Sequence, residues 1–242
     1  MSVSDFPGTG NAGGEPQPLA SPERDLAIWW CPLARDAAAM PALWATLSPE
    51  EVARAGRFGT EALRQRYVVG RAALRWTLAR RLGIDPAAVP IRRGERGRPM
   101  LDEGRAPDFN VTHTLGVALI AHLDRPGWRV GVDIEGVDRT LSHDALARKF
   151  LTAGERSAIA ALDDDARRRA FLRLWTCKEA MSKATGDGLS APFREIGIDT
   201  TAGLVVIVLS DLSGLSKAET ERIWLTFTFT VWCAAGLAPP VW

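Results

Sequence analysis

The stretches "LSPEEVARAG", from Leu47, and "LTAGERSAIA", from Leu151, lie 104 positions apart and superpose Leu47 on Leu151, Ser48 on Thr152 and Glu51 on Glu155. Each reads as a helix start. A Ser or Thr accepts backbone N–H bonds while acidic residues sit in the positive first turn, and Pro49 at the first helical position strengthens the first copy. Sliding the chain against itself at this one offset extends the match without a gap from Asp25 to about Ala88. Ala62 then meets Ala166, Arg64 meets Arg168, Tyr67 meets Phe171, and the alternating "LAIWWCP" from Leu26 falls on "VGVDIEG" from Val130. Helical segments rich in Ala, Leu and Arg match by chance easily, so it is the single ungapped offset that argues for a duplication.

Each copy would run strand, capped helix, long helix, then strands. After the first long helix come a turn-rich stretch and two strand patterns, "DFNVTHT" and "VALIAHL"; after the second come "GLVVIVLS" and the alternating "IWLTFTFTVWCAAG". Helices followed by largely antiparallel strands give an α+β class, with two similar halves making a pseudo-dimer inside one chain. The expected division is a disordered tail over residues 1–22, an N-terminal half over 23–125 and a C-terminal half over 126–242. A cleft between such halves is a natural ligand site.

Composition narrows the partners. With 46% hydrophobic residues, 24% charged residues and a net charge of +1, the chain has no overall field that would draw it to nucleic acid or to an anionic membrane. Cys31, Cys177 and Cys233 are odd in number and widely spaced, which suggests neither a disulfide framework nor a zinc site and fits a reducing cytoplasm. The start lacks the basic segment and apolar run of a signal peptide, and "GLVVIVL" is too short to cross a bilayer. A P-loop is missing too: "GRAALRW" and "GDGLS" lack its Gly and Lys spacing.

Duplicated halves should differ where chemistry was added. In "RVGVDIEGV" Asp133 and Glu135 are two apart and share one strand face, whereas their counterparts Trp29 and Cys31 are apolar. Two adjacent carboxylates repel, a cost relieved by solvent, by Arg or Lys, or by Mg²⁺, which favours a few carboxylate oxygens. In "WTCKEAMSKATGDG" Trp175, Glu179 and Lys183 recur every four residues along one helical stripe, ended by Gly186 and Gly188. Alone, Glu179 and Lys183 are an ordinary pair contributing about 0.2–0.5 kcal/mol. Beside Asp133 and Glu135, Glu179 would complete an oxygen site, and Lys183 would meet a phosphate or leaving group. At 104 positions Glu179 falls on Arg75. Arg54, Arg57, Arg66, Arg71 and Arg75 are scattered over the first-half helices, and Arg98 lies in "RGRPML". Such arginines are usually solvated but suit bidentate phosphate contacts. In "FNVTHT", His113 points away from Thr112 and Thr114; a lone His is more often structural but can donate to a phosphate.

"GVDIE" from Gly131, followed by "WTCKEAMSK" from Trp175, with "GRPML" from Gly97 and "FNVTHT" from Phe109, resembles the signatures of the phosphopantetheinyl transferases, specifically the long, surfactin-type branch. The resemblance covers the chain from about Leu47 to Ala235. It implies a fold of two similar α+β halves and transfer of the phosphopantetheine arm of coenzyme A to a serine of an apo acyl or peptidyl carrier protein, releasing adenosine 3′,5′-bisphosphate. By the same resemblance Asp133, Glu135 and Glu179 would hold Mg²⁺ on the pyrophosphate, Glu179 (or Glu135 through water) would accept the serine proton, and Lys183 would steady the leaving phosphate. His113 and Thr112 would touch the 3′-phosphate and ribose end with Arg98, Arg75 and Arg54; Lys178 would bind phosphate; Glu155 would align a water or the pantetheine chain.

The chain departs from the family's pattern at three places: Glu51 stands where relatives often carry a basic residue, Thr112 replaces a more usual Ser, and Arg98 a usual Lys. An acidic carrier helix is expected to dock near Arg148 and Lys149, and a chain supplying both halves is expected to act as a monomer. The competing expectations are a catalytically silent coenzyme A or carrier-protein binding module of the same fold, and another magnesium-dependent enzyme acting on a nucleotide diphosphate.

Overall fold

The computed structural model describes residues 15–19, 21, 24–94, 96–102, 107–114, 116–126, 128–136, 142–198, 205–208 and 226–229. The chain divides into two compact units, residues 1–94 with 99–126, and residues 95–98 with 127–242.

In the first unit, strands β1 (Gln17–Leu19), β2 (Leu26–Pro32), β5 (Asp108–Thr114) and β6 (Val117–Leu123) form an antiparallel sheet in the order β1-β2-β6-β5. The strands "DFNVTHT" and "VALIAHL" occupy the expected residues, joined by a tight turn in which Gly116 adopts φ +84. A separate hairpin pairs β3 (Ile91–Arg93) with β4 (Pro99–Leu101). The segment expected to be a disordered tail contributes β1, because Gln17–Leu19 finds ladder partners in Ile28–Trp30 of β2. Against the sheet lies the long α3 (Glu61–Leu82), on which α1 (Met40–Trp44) and α2 (Pro49–Ala55) pack. Thr60 Oγ1 caps α3 by accepting from Leu63 N–H, and Gly83 ends it in the left-handed region at φ 68. Between those ends α3 buries every residue from Leu74 to Ala79, packing against Cys31, Leu33, Phe109 and Ile120. That middle stretch is enclosed on every face, and Arg75 lies in the interior with it.

The second unit holds α4 (His143–Phe150), α5 (Ala153–Ala160), the long α6 (Asp164–Thr185) and an antiparallel pair, β7 (Val205–Val208) with β8 (Thr226–Phe229). Its core is aromatic. Trp175 lies 4.5 Å from Phe150 and 6.1 Å from Phe193, ring centroid to centroid, so the Trp of the motif anchors α6 rather than facing a ligand.

Both capping boxes form. Ser48 and Glu51 satisfy each other's backbone N–H groups at the start of α2, and Thr152 and Glu155 do so at the start of α5. The expected register then slips by one residue. The caps Ser48 and Thr152 are 104 apart, but the long-helix caps Thr60 and Asp163, and the terminal glycines Gly83 and Gly186, are 103 apart. The connector is one residue shorter in the second copy, so Lys178, not Glu179, is the counterpart of Arg75. A second correction concerns "RVGVDIEG": residues 128–136 join no ladder. Val130, Val132 and Ile134 are nonetheless buried, while the alternate residues Gly131 and Asp133 are the ones that meet α6.

Candidate active site

Residues 130–133 reach the last turns of α6 through Gly131. A Cβ built there would stand 1.9 Å from Ala180 O and 2.7 Å from Ala184 N, so only glycine lets this backbone lie directly on the helix. The approach sets the next residues against the Glu179–Lys183 face. Lys183 Nζ donates to Asp133 Oδ1 at 2.5 Å and to Val132 O at 3.4 Å. The end of α6 is secured by three further donors. Gly186, at φ 85, returns its N–H to Ser182 O, Arg129 Nη1 donates to Thr185 O, and Arg98 Nε donates to Lys183 O at 2.9 Å.

The carboxylates expected to hold Mg²⁺ lie at and beside the contact between this segment and α6. Asp133 is buried, and Glu135 and Glu179 are half-buried. Asp133 Oδ2 and Glu179 Oε1 are enclosed oxygens that accept no hydrogen bond, the hard, anionic donors that suit a divalent cation. The donor set therefore fits Mg²⁺. As they stand, among the described residues no three His, Cys, Asp or Glu side chains converge on one centre. Asp133 instead has one oxygen neutralised by Lys183.

Three expected ligand contacts have other employment. Glu155 Oε2 meets Lys178 Nζ at 2.9 Å, and Ile198 N–H donates to Glu155 Oε1. Lys178, fully buried, also donates to the carbonyls of Phe193 and Ile196. Burial pulls its ammonium below the ordinary lysine value, and the Glu155 carboxylate resists that shift. The first unit repeats the device. Arg75 Nε meets Glu51 Oε2 at 2.6 Å and its Nη1 donates to the carbonyls of Pro86, Ala87 and Val89. Burial would raise the Glu51 carboxyl, but Arg71, the Ser48 N–H and Arg75 outweigh it and hold it below the usual range. A cation on each long helix thus ties its capping-box glutamate to a following loop. Arg75, Lys178 and Glu155, expected at the ligand, are buried and engaged in these two struts.

Thr112 is buried while His113, next along β5, is exposed, so the two do not share a face. Arg98 donates to the Lys183 and Val130 carbonyls. Arg54 lies over the Tyr67 ring, 6.0 Å from its centroid. Sequence reasoning missed two neighbours of this patch. Arg93 has its guanidinium pKa lowered by burial and by the charges of Arg54 and Arg71, and the buried Tyr67 hydroxyl makes no hydrogen bond. Clustered guanidinium groups beside a phenol make an anion-attracting surface. The strut could have been found from a capping-box Glu followed by a cation 23 or 24 residues on.

Two family models cover most of the chain: 4′-phosphopantetheinyl transferase, N-terminal, over residues 29–123, and the 4′-phosphopantetheinyl transferase superfamily over residues 129–233. The 4′-phosphopantetheinyl transferase HetI of Nostoc sp. strain PCC 7120 is 36% identical over 181 residues, spanning 73% of this chain and 75% of the relative. This chain belongs to the 4′-phosphopantetheinyl transferase superfamily. The transferase is also similar to Sfp of Bacillus subtilis strain 168, at 27% identity over 190 residues covering 78% of this chain and 82% of Sfp. A phosphopantetheinyl transferase of Thraustochytrium sp. matches at 29% over 194 residues, 73% of this chain and 65% of its own. Among the described residues, no helix of the transferase is long and apolar enough to cross a membrane.

Proposed function

We propose that this enzyme transfers the phosphopantetheine arm of coenzyme A to a serine hydroxyl of an apo acyl or peptidyl carrier protein, in the cytoplasm and as a monomer. The serine oxygen bonds to the pantetheine-side phosphorus, the diphosphate P–O bond breaks, and adenosine 3′,5′-bisphosphate departs. Family membership supports the reaction, and the single structural observation that carries it is the Lys183–Asp133 pair beside Glu179, seated by Gly131.

Asp133, Glu135 and Glu179 would hold Mg²⁺, which when bound neutralises charge on the diphosphate as a Lewis acid and template. Glu179 accepts the serine proton. Lys183 supplies positive charge to the departing phosphate oxygen, its ammonium kept in place by Asp133 and Val132 O. Arg54, with Arg93 and the Tyr67 hydroxyl, attracts a phosphate of the nucleotide end, and the exposed His113 donates to one. Arg148 and Lys149, exposed on the last turn of α4, receive an acidic carrier helix.

The test is intact-mass analysis of an apo carrier protein after incubation with enzyme, coenzyme A and Mg²⁺. A phosphopantetheine-sized gain that needs metal and is lost in Asp133→Ala is expected; coenzyme A binding with no gain on any carrier in a broad panel refutes transfer in favour of a silent module. Glu179→Gln and Lys183→Ala should fold yet lose most turnover. Charge reversal at Arg148 and Lys149 should weaken carrier affinity, and unchanged affinity removes that docking site.

A further inference from the structure

Arg98, expected at the 3′-phosphate and ribose end of coenzyme A, is hydrogen-bonded to two backbone carbonyls. Its Nε donates to Lys183 O at 2.9 Å and its Nη2 to Val130 O at 3.0 Å. One guanidinium therefore bridges the two pieces of backbone that carry the reacting side chains: the last turn of α6, which bears Lys183, and the segment that bears Asp133 three residues after Val130. Its stem lies over Gly186, the left-handed end of the helix, 3.7 Å from where a Cβ would sit. Arg96, two residues earlier, pairs with Asp187 just beyond the same helix end, so the turn at Gly97 (φ +80) is fastened from both sides. The cation also sits where the helix dipole is negative.

On the far side of this junction Lys183 Nζ reaches Val132 O and Asp133 Oδ1. The segment is thus pinned at alternate carbonyls, Val130 by Arg98 and Val132 by Lys183, with Gly131 against Ala180 between them. Arginine suits this task because its planar fork delivers two N–H bonds in a fixed geometry; a lysine ammonium on a flexible stem fixes less.

We propose that Arg98 is a positioning residue of the transferase: by clasping Lys183 O to Val130 O it fixes the Lys183–Asp133 geometry without itself contacting coenzyme A. This rests on the transfer reaction proposed above. A misplacement of a reacting group by about 1 Å can cost about 10²-fold in rate, so loss of the clasp should fall on turnover rather than on binding.

The experiment compares wild type with Arg98→Ala and Arg98→Lys, measuring kcat and KM for coenzyme A at saturating Mg²⁺ and carrier, coenzyme A affinity by calorimetry, and backbone hydrogen exchange. In Arg98→Ala, kcat should fall at least tenfold with KM and affinity for coenzyme A within twofold of wild type. Exchange should rise in residues 128–136 and 180–187 and stay unchanged in α3. Added guanidinium ion should restore part of the turnover, and Arg98→Lys should fall between the two proteins. A raised KM and weakened affinity with kcat unchanged would make Arg98 a nucleotide contact and overturn the proposal, as would unaltered exchange at both segments. If Arg98→Ala does not fold, Arg98→Lys carries the same readings. If wild type transfers nothing, the reaction assigned above fails, while the exchange measurement still decides whether Arg98 holds the junction.

Discussion

Replacing Gly131 by alanine is the sharpest perturbation of the proposed centre. The new Cβ would stand 1.9 Å from Ala180 O and 2.7 Å from Ala184 N, both backbone atoms of a packed helix, so neither neighbour can swing aside. Restoring a tolerable contact of 3.0 Å requires the segment to retreat by at least 1.1 Å. Carried two residues along, that movement takes the Lys183–Asp133 contact from 2.5 Å to about 3.6 Å, beyond hydrogen-bond range. The stability cost of such overpacking is about 1–3 kcal/mol, and the catalytic cost about 10²-fold. Single-turnover modification of an apo carrier, followed by intact mass, reads the second; thermal unfolding reads the first. Gly131→Ala retaining more than half of wild-type turnover would show that close seating of this segment on α6 is not what orders Lys183 and Asp133.

Three other substitutions separate structure from chemistry. Glu155→Ala strands Lys178 as a buried, unpaired charge and should cost about 3–5 kcal/mol in denaturant unfolding, whereas Lys178→Met with Glu155→Leu should recover most of that loss; equal losses in the single and double variants would deny the strut. Gly154→Ala, inside α5 with open space around the added methyl, should stabilise by about 0.4–1 kcal/mol and leave transfer unchanged, as read by Tm and turnover. His122 is buried on β6, its Nε2 3.2 Å from Thr77 Oγ1, and burial together with the charge of Arg81 lowers its pKa from 6.5 to about 3. The unfolded chain then binds the extra proton, so its contribution is complete above pH 6.5 and is lost as pH falls toward 3, by about 2 kcal/mol at pH 5. His122→Leu should flatten that part of the stability profile, and an unchanged acid slope would count against a neutral buried imidazole.

Much of the architecture was legible because local chemistry dictated it. Ser48 with Glu51 and Thr152 with Glu155 are self-contained capping boxes, and the alternation of "DFNVTHT" and "VALIAHL" sets a two-residue period that only a paired strand exploits. Residues 128–136 carry the same period without a ladder: Val130, Val132 and Ile134 are buried while Gly131 and Asp133 meet α6, and periodicity cannot distinguish an extended segment laid on a helix from a strand in a sheet. The slip between copies was hidden because one missing residue in a connector leaves the flanking caps intact. Glu179 and Lys183 were legible as neighbours on one face of α6, since helical spacing is fixed, whereas the Lys183–Asp133 contact joins residues 50 apart and left no mark in the sequence pattern. Arg75 and Lys178 were not read as struts because their partners, Glu51 and Glu155, are distant in sequence, and nothing in a string of letters reveals that a cation faces inward.

The shorter connector has a practical meaning for anyone recombining the two copies. One codon of difference turns a helix by about 100° relative to the cap that precedes it, yet Arg75 and Lys178 still meet their glutamates. The transplantable module is accordingly the whole stretch from capping Ser or Thr to terminal glycine, residues 48–83 or 152–186. A chimera spliced in the middle of that stretch inherits mismatched phase and points its cation away from the acid.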